Sequence, residues 1–206
     1  MISYLIFGIT YAFAAAVQPG PLQTYIISQT LKKGWRSTLP TAFAPLISDI
    51  PILILVLYLL STMSESFIIL LRIGGGLFLF YLGFMAYKSW KVFDVSQTVL
   101  TESTQQTLLN AVFVNLLNPA PYLGWSLIMG PLFLDGWNAA PLNGIALIVG
   151  FYVTMVLTLA GIIILFGFAQ KLGSTVSKTL VGLSSIVLFG FGIYQLWIGI
   201  NSLLKG

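Results

Sequence analysis

Apolar residues fill six long stretches of this chain, at residues 3–31, 37–60, 67–87, 107–133, 142–168 and 180–200. Short polar links separate them. A hydrocarbon core about 30 Å thick needs about 20 apolar residues per helix, so each stretch predicts one membrane-spanning helix. The predicted fold class is an all-α integral membrane protein of six transmembrane helices.

Composition changes little in this picture and excludes much. Of 206 residues, 58% are hydrophobic and 7% charged, against about 25% charged in an ordinary soluble domain. Water is therefore not the solvent for most of this surface, which excludes a soluble enzyme. The chain has no Cys and no His. That removes disulfides, thiolate catalysis and iron–sulfur clusters, together with the usual proton shuttle and the commonest transition-metal ligand. No cofactor or metal is expected. The net charge of +4 reads as loop charge in a membrane protein, not as a nucleic-acid footprint.

The placement of charge orients the chain. The first, third and fifth links carry Lys32, Lys33, Arg36, Lys88, Lys91, Lys171 and Lys178, while the second and fourth carry Glu65 and Asp135. Basic links face the cytoplasm, so both termini are expected outside the cytoplasmic (inner or plasma) membrane. Lys205 lies in the tail. Arg72 has two readings, a snorkelling residue near the outer interface or a buried functional group. Ala14-Ala15-Ala16 resembles a signal-peptide cleavage site, but no Lys or Arg precedes the apolar run; the segment is expected to stay.

The two halves repeat. Gln18-Pro19-Gly20-Pro21 returns as Asn118-Pro119-Ala120-Pro121, and Gly83-Phe84-Met85-Ala86-Tyr87-Lys88-Ser89-Trp90 returns as Gly190-Phe191-Gly192-Ile193-Tyr194-Gln195-Leu196-Trp197. Three helices per half is an odd number, so the second half enters from the opposite side. This is a 3+3 inverted repeat: residues 1–90, a connector at 91–106, and residues 107–206. Such repeats are a mark of secondary transporters, although a repeat also suits a merely symmetric bundle.

Prolines two residues apart should break helices 1 and 4 near mid-span, since each removes a donor and clashes with the preceding turn. Pro19 and Pro21 would free the carbonyls of Ala15 and Val17; Pro119 and Pro121 would free those of Asn115 and Leu117. Free backbone groups at membrane depth require protein or a wet cavity around them. The new half-helix N-termini would turn N–H groups and positive dipole ends to one centre, where a substrate carboxylate fits. Gln18, Gln23, Thr24, Asn115 and Asn118 could add side-chain hydrogen bonds. The plainer reading is a packing kink satisfied by neighbouring Ser and Thr.

Asp49 lies in helix 2, about 16 Å from either end at 1.5 Å per residue. It is the acid well inside a span, and its charge there costs roughly 3 kcal/mol on insertion scales. An isolated carboxyl in low dielectric can take up and release a proton as its surroundings alternate between wet and dry. It could equally pair with a substrate ammonium. The plainer reading is a neutral Asp hydrogen-bonded to a helix. Its expected partners are Ser48, Asn115, Asn118 and backbone carbonyls.

These residues resemble the LysE/RhtB family of small amino-acid exporters (LysE superfamily). The resemblance spans essentially the whole chain. It rests on Pro19-Gly20-Pro21, the basic link at Lys32 to Arg36, Asp49, Tyr81-Leu82-Gly83 and Asn118-Pro119. It implies export driven by the proton gradient, often of amino acids or related metabolites. The chain departs from the family where Ala120 and Pro121 follow Asn118-Pro119 in place of a basic residue, and where Pro45 and Ser48 precede Asp49 in place of Gly. The best-known members' substrates therefore do not carry over.

The expected function is a non-enzymatic secondary transporter exporting a small amino acid or related amine or carboxylate metabolite, by alternating access coupled to protons. The expected site comprises Gln18, Pro19, Gly20, Pro21, Gln23, Asp49, Asn115, Asn118, Pro119 and Pro121, with Asp49 carrying the proton. Its partners are a small molecule and the lipid bilayer, not nucleic acid; homo-oligomerisation is left open. The alternatives are a metal or inorganic ion exporter, for which one intramembrane Asp supplies too few ligands, and a non-transport assembly protein. An intramembrane protease would need a second Asp, or His or Lys beside Ser.

Overall fold

Proline and glycine decide where each helix of this chain stops. The computed structural model describes residues 1–18, 20–59, 65–91, 103–170 and 174–205. Among them all regular structure is helical. Helix α1 is Ile2–Val17 and α2 is Pro21–Lys33, two arms that meet at 62°. Pro21 opens α2 at the first position, where its missing N–H costs nothing. Gly34, at φ 82°, closes α2, and its N–H returns 2.8 Å to the Thr30 carbonyl.

The second apolar stretch is jointed. After α3 (Trp35–Thr38), a 3₁₀ turn at Leu39–Phe43 leads into α4 (Ala44–Leu59). Pro40 and Pro45 cannot donate, so the chain tightens there before regaining α-helical pitch. Helix α5 (Glu65–Lys91) follows. The fourth stretch divides into α6 (Thr104–Leu116), α7 (Pro119–Gly124), a π turn at Trp125–Met129 and α8 (Gly130–Ala139). In the π turn the Gly130 N–H reaches back five residues to the Trp125 carbonyl. Pro131, which has no N–H for Leu127, explains the shifted register. Two long helices, α9 (Pro141–Gln170) and α10 (Ser174–Lys205), complete the chain.

By length and composition, Trp35–Val56, Pro141–Ala169 and Val181–Leu204 can each cross a membrane, and the bent pair α1 and α2 makes a fourth candidate span. Helix α5 packs antiparallel on α10. Trp90 near the end of one covers Gly182 near the start of the other, and Phe80 covers Gly192. Helix α1 packs on the start of α9, while Trp35, just beyond α2, lies on Gly167 near the end of α9. The helices of each pair touch because glycines face backbone. A Cβ at Gly8 would meet the Leu147 carbonyl, and one at Gly150 would stand 2.7 Å from the carbonyl of Leu5.

Lys33, Arg36, Lys88, Lys91 and Lys178 lie toward one end of the bundle, and Lys205 ends α10 at the other. Lys33 Nζ donates to Thr107 Oγ1 at 2.7 Å, joining the end of α2 to the start of α6, and Tyr25 OH donates to the Thr107 carbonyl at 3.4 Å. Arg36 stacks over Trp35 at 5.3 Å, and Lys88 over Phe84 at 4.8 Å. Arg72, Lys171 and Glu102 have side chains outside the described residues. The glycine contacts generate a stability test. Gly150→Ala should destabilise the purified protein by about 1–3 kcal/mol through overpacking. Gly161→Ala, where a Cβ meets nothing within 4 Å, should not lower the unfolding temperature in detergent, since Ala is the better helix former.

Candidate functional site

The broken fourth stretch, α4 and α9 converge on Asp49, which is 3% exposed. Asn115 Nδ2 donates to Asp49 Oδ1 at 3.3 Å. Trp125 Nε1 and Tyr152 OH donate to Oδ2 at 3.2 and 3.1 Å. Asn115 Nδ2 also donates to Ser48 Oγ at 2.7 Å, and Ser48 Oγ donates to the Ala44 carbonyl at 2.9 Å. Among the described residues no cationic side chain meets Asp49. Three neutral donors arranged this way suit a charged carboxylate, because charge-assisted hydrogen bonds are the stronger kind.

Beside this cluster lies a cavity of about 430 Å³. Gln18, Gly20, Pro21, Gln23, Asp49, Asn115, Asn118, Pro119 and Pro121 all line it, so the structure brings nine of the expected site residues to one space. The tenth, Pro19, lies outside the described residues. Thr24 is not in the lining. Gln18 and Tyr194 are exposed as well as lining, so the cavity is continuous with the surface. All its lining on α1 and α2 precedes Tyr25, and the Lys33–Thr107 end of the bundle lies apart from it.

The freed backbone groups at the two breaks are handled differently. At the first, Gln23 Nε2 donates to the carbonyls of Ala15 and Ala16, both at 3.2 Å. Gln23 is thus a brace across the bend, and its Oε1 sits 3.0 Å from where a Cβ on Gly20 would stand. Helix α2 has no side-chain cap, so the first-turn N–H groups of Leu22 and Gln23 lack helical partners. At the second break the expected free carbonyl of Asn115 instead accepts from the Asn118 N–H at 3.2 Å. The Leu116 carbonyl accepts from Tyr122 OH at 2.9 Å.

The second half-helix departs from the expectation of exposed donors. Pro119 and Pro121 have no N–H, and Asn118 Oδ1 accepts the Ala120 N–H at 3.1 Å. That end is sealed by its own sequence, and the open helix end belongs to α2.

Sequence reasoning missed Trp125 and Tyr152. The signal was present: each places a polar atom deep in an apolar stretch, where a buried indole N–H or phenol must find a partner. Both join an aromatic wall. Phe151 lies edge-on to Tyr152 and Trp125 at 5.0 and 5.7 Å between centroids and stacks with Tyr11 at 6.1 Å.

Apolar helices around a cavity with one buried acid, at a helix break, mark an integral membrane protein. The chain belongs to the LysE type translocator family, whose model matches residues 13–198. It is thus a member of a membrane transporter family. No curated protein and no solved structure matches the chain.

The brace gives a direct test. Gln23→Leu leaves the Ala15 and Ala16 carbonyls unpaired and should cost about 1–3 kcal/mol, read as a lower unfolding temperature in detergent. Gln18→Leu, at a side chain with no hydrogen bond among the described residues, should not shift it.

Proposed function

We propose that this protein exports a small amine-bearing metabolite, amino acids included, in exchange for protons across the cytoplasmic membrane. The observation that carries the reading is Asp49: a buried acid on a cavity wall, held by neutral donors and, among the described residues, by no cation. A carboxylate has about four acceptor positions, and the three donors leave one open, on Oδ1. A substrate ammonium or a proton can take it, but each displaces the need for the other. That is the logic of exchange.

The reading extends to the repeats. Taking residues 1–90 and 107–206 as inverted halves joined by 91–106, Asp49 belongs to the first half and all its donors to the second. A proton on the open Oδ1 position removes the charge of Asp49 and so weakens the hydrogen bonds from Trp125, Tyr152 and Asn115, which are charge-assisted while the carboxylate is ionised. The proton therefore loosens a tie between the halves, and an ammonium restores its charge balance. Another tie between the halves is at the basic end, where Lys33 and Tyr25 bond to Thr107. With basic links inside and both termini outside, this is an outward-facing arrangement closed toward the cytoplasm. Ser28 Oγ and Gln29 Oε1 are buried on α2 without partners. Buried unpaired polar atoms call for an explanation; here they are the groups that line the path when the inner end opens.

Proteoliposomes with an imposed pH gradient test this, using labelled lysine, threonine, leucine and phenylalanine as probes. At least one should accumulate against its gradient, and a protonophore should abolish the effect. Asp49→Asn should lower the rate by about tenfold or more, the worth of a charged hydrogen-bonding partner. Unchanged transport by Asp49→Asn, or no movement of any probe, would sink the proposal.

The inner tie has its own readout. A cysteine placed at Gln29, in a chain with no other cysteine, should resist a polar thiol reagent applied from the basic side. Adding Thr107→Val should increase labelling severalfold, and equal labelling with and without that change would reject the tie as a gate.

A further inference from the structure

We infer that the cavity recognises its substrate by an amine on an apolar, aromatic-compatible body, and that a carboxylate on the substrate adds little. This rests on the transport reading above and names the substrate class of the same site. Charge carries the first part. Among the described residues Asp49 is the one charged side chain in the lining, and its open acceptor position on Oδ1 is buried, where a charge-assisted hydrogen bond gains most. Among the described residues no Lys or Arg lines the cavity to hold a carboxylate.

The donors that could face a carboxylate are neutral and largely committed. Gln23 spends its amide on the bend, Asn115 spends its amide on Ser48 and Asp49, and the α7 end is capped by Asn118. The remaining donors are Gln18, exposed at the cavity mouth, and the N–H groups of Leu22 and Gln23 at the start of α2. None of them carries a charge, so a substrate carboxylate gains less from them than an ammonium gains from Asp49.

The wall carries the second part. Tyr11, Trp125, Met129, Phe151, Met155 and Phe191 give the cavity an aromatic and thioether lining. Trp125 and Tyr152 donate to the same carboxylate oxygen and stack with centroids 6.3 Å apart. An ammonium docked on Asp49 therefore lies beside aromatic rings, which attract cations within about 6 Å. Behind the ammonium, Met129 and Met155 are flexible and polarizable and accommodate an apolar group of variable shape. A hydroxyl or a second ammonium on the substrate would be desolvated against these side chains without a partner.

The test is binding to the protein in lipid nanodiscs at pH 7, read by thermal shift. The probes are phenylethylamine, phenylalanine, 3-phenylpropionate, lysine and threonine. Phenylethylamine and phenylalanine should bind within about threefold of each other, and 3-phenylpropionate, lysine and threonine at least about tenfold more weakly. Asp49→Asn should abolish phenylethylamine binding. Phe151→Leu should weaken it by about three- to tenfold, and Phe151→Tyr, which keeps the ring, should restore it, separating recognition from loss of fold. Tighter binding of threonine or lysine, or equal binding of 3-phenylpropionate, would overturn the inference while leaving amine export standing. If no probe binds and none is carried in proteoliposomes, both fall together.

Discussion

A single carboxylate satisfied in a low-dielectric interior by neutral donors organises this molecule. An uncompensated charge at that depth would cost several kcal/mol. The chain meets the cost with three neutral donors drawn from α6, the π turn and α9. Each of those elements is held in position by the requirement. The split at Asn118 sets the end of α6, the π turn aims Trp125, and the Gly8 and Gly150 contacts seat α1 against the stretch of α9 that carries Phe151 and Tyr152. The cavity is what remains beside the satisfied acid.

Much of this was legible in the chain. Pro19, Pro21, Pro119 and Pro121 announced the breaks, because a missing N–H cannot be hidden in a helix interior. Asp49 announced the centre, because a lone acid in an apolar stretch has few stable environments. The partners were harder. Asn115 was foreseen because an amide at mid-span is as conspicuous as an acid. Trp125 and Tyr152 were not, since aromatic residues are plentiful in membrane chains and their polar tips are discounted beside their apolar bodies. Gln23 was foreseen at the site, yet its bracing role depends on the 62° bend, which no local pattern specifies.

The two breaks also show that sequence likeness does not ensure chemical likeness. Both read amide, Pro, small, Pro. In one, Gly20 adopts an extended backbone and the helix after it starts uncapped. In the other, Asn118 caps the helix with its own side chain. The amide differs by one methylene, and the shorter Asn reaches its own backbone two residues on, an arrangement favoured for Asn and not for Gln. Similar motifs thus produce one helix end left uncapped and one capped by its own side chain.

The π turn at Trp125–Met129 has a consequence for how such proteins diversify. A π turn holds one residue more than the α-helical path it interrupts, and each helical residue turns the chain by about 100°. Deleting one residue there would rotate the flanking helical segments by about 100° relative to each other and take the indole out of its present alignment with Asp49, leaving the acid and the prolines intact. Recognition in a chain of this kind can therefore change by a shift in length at one turn, with no substitution at the acid itself.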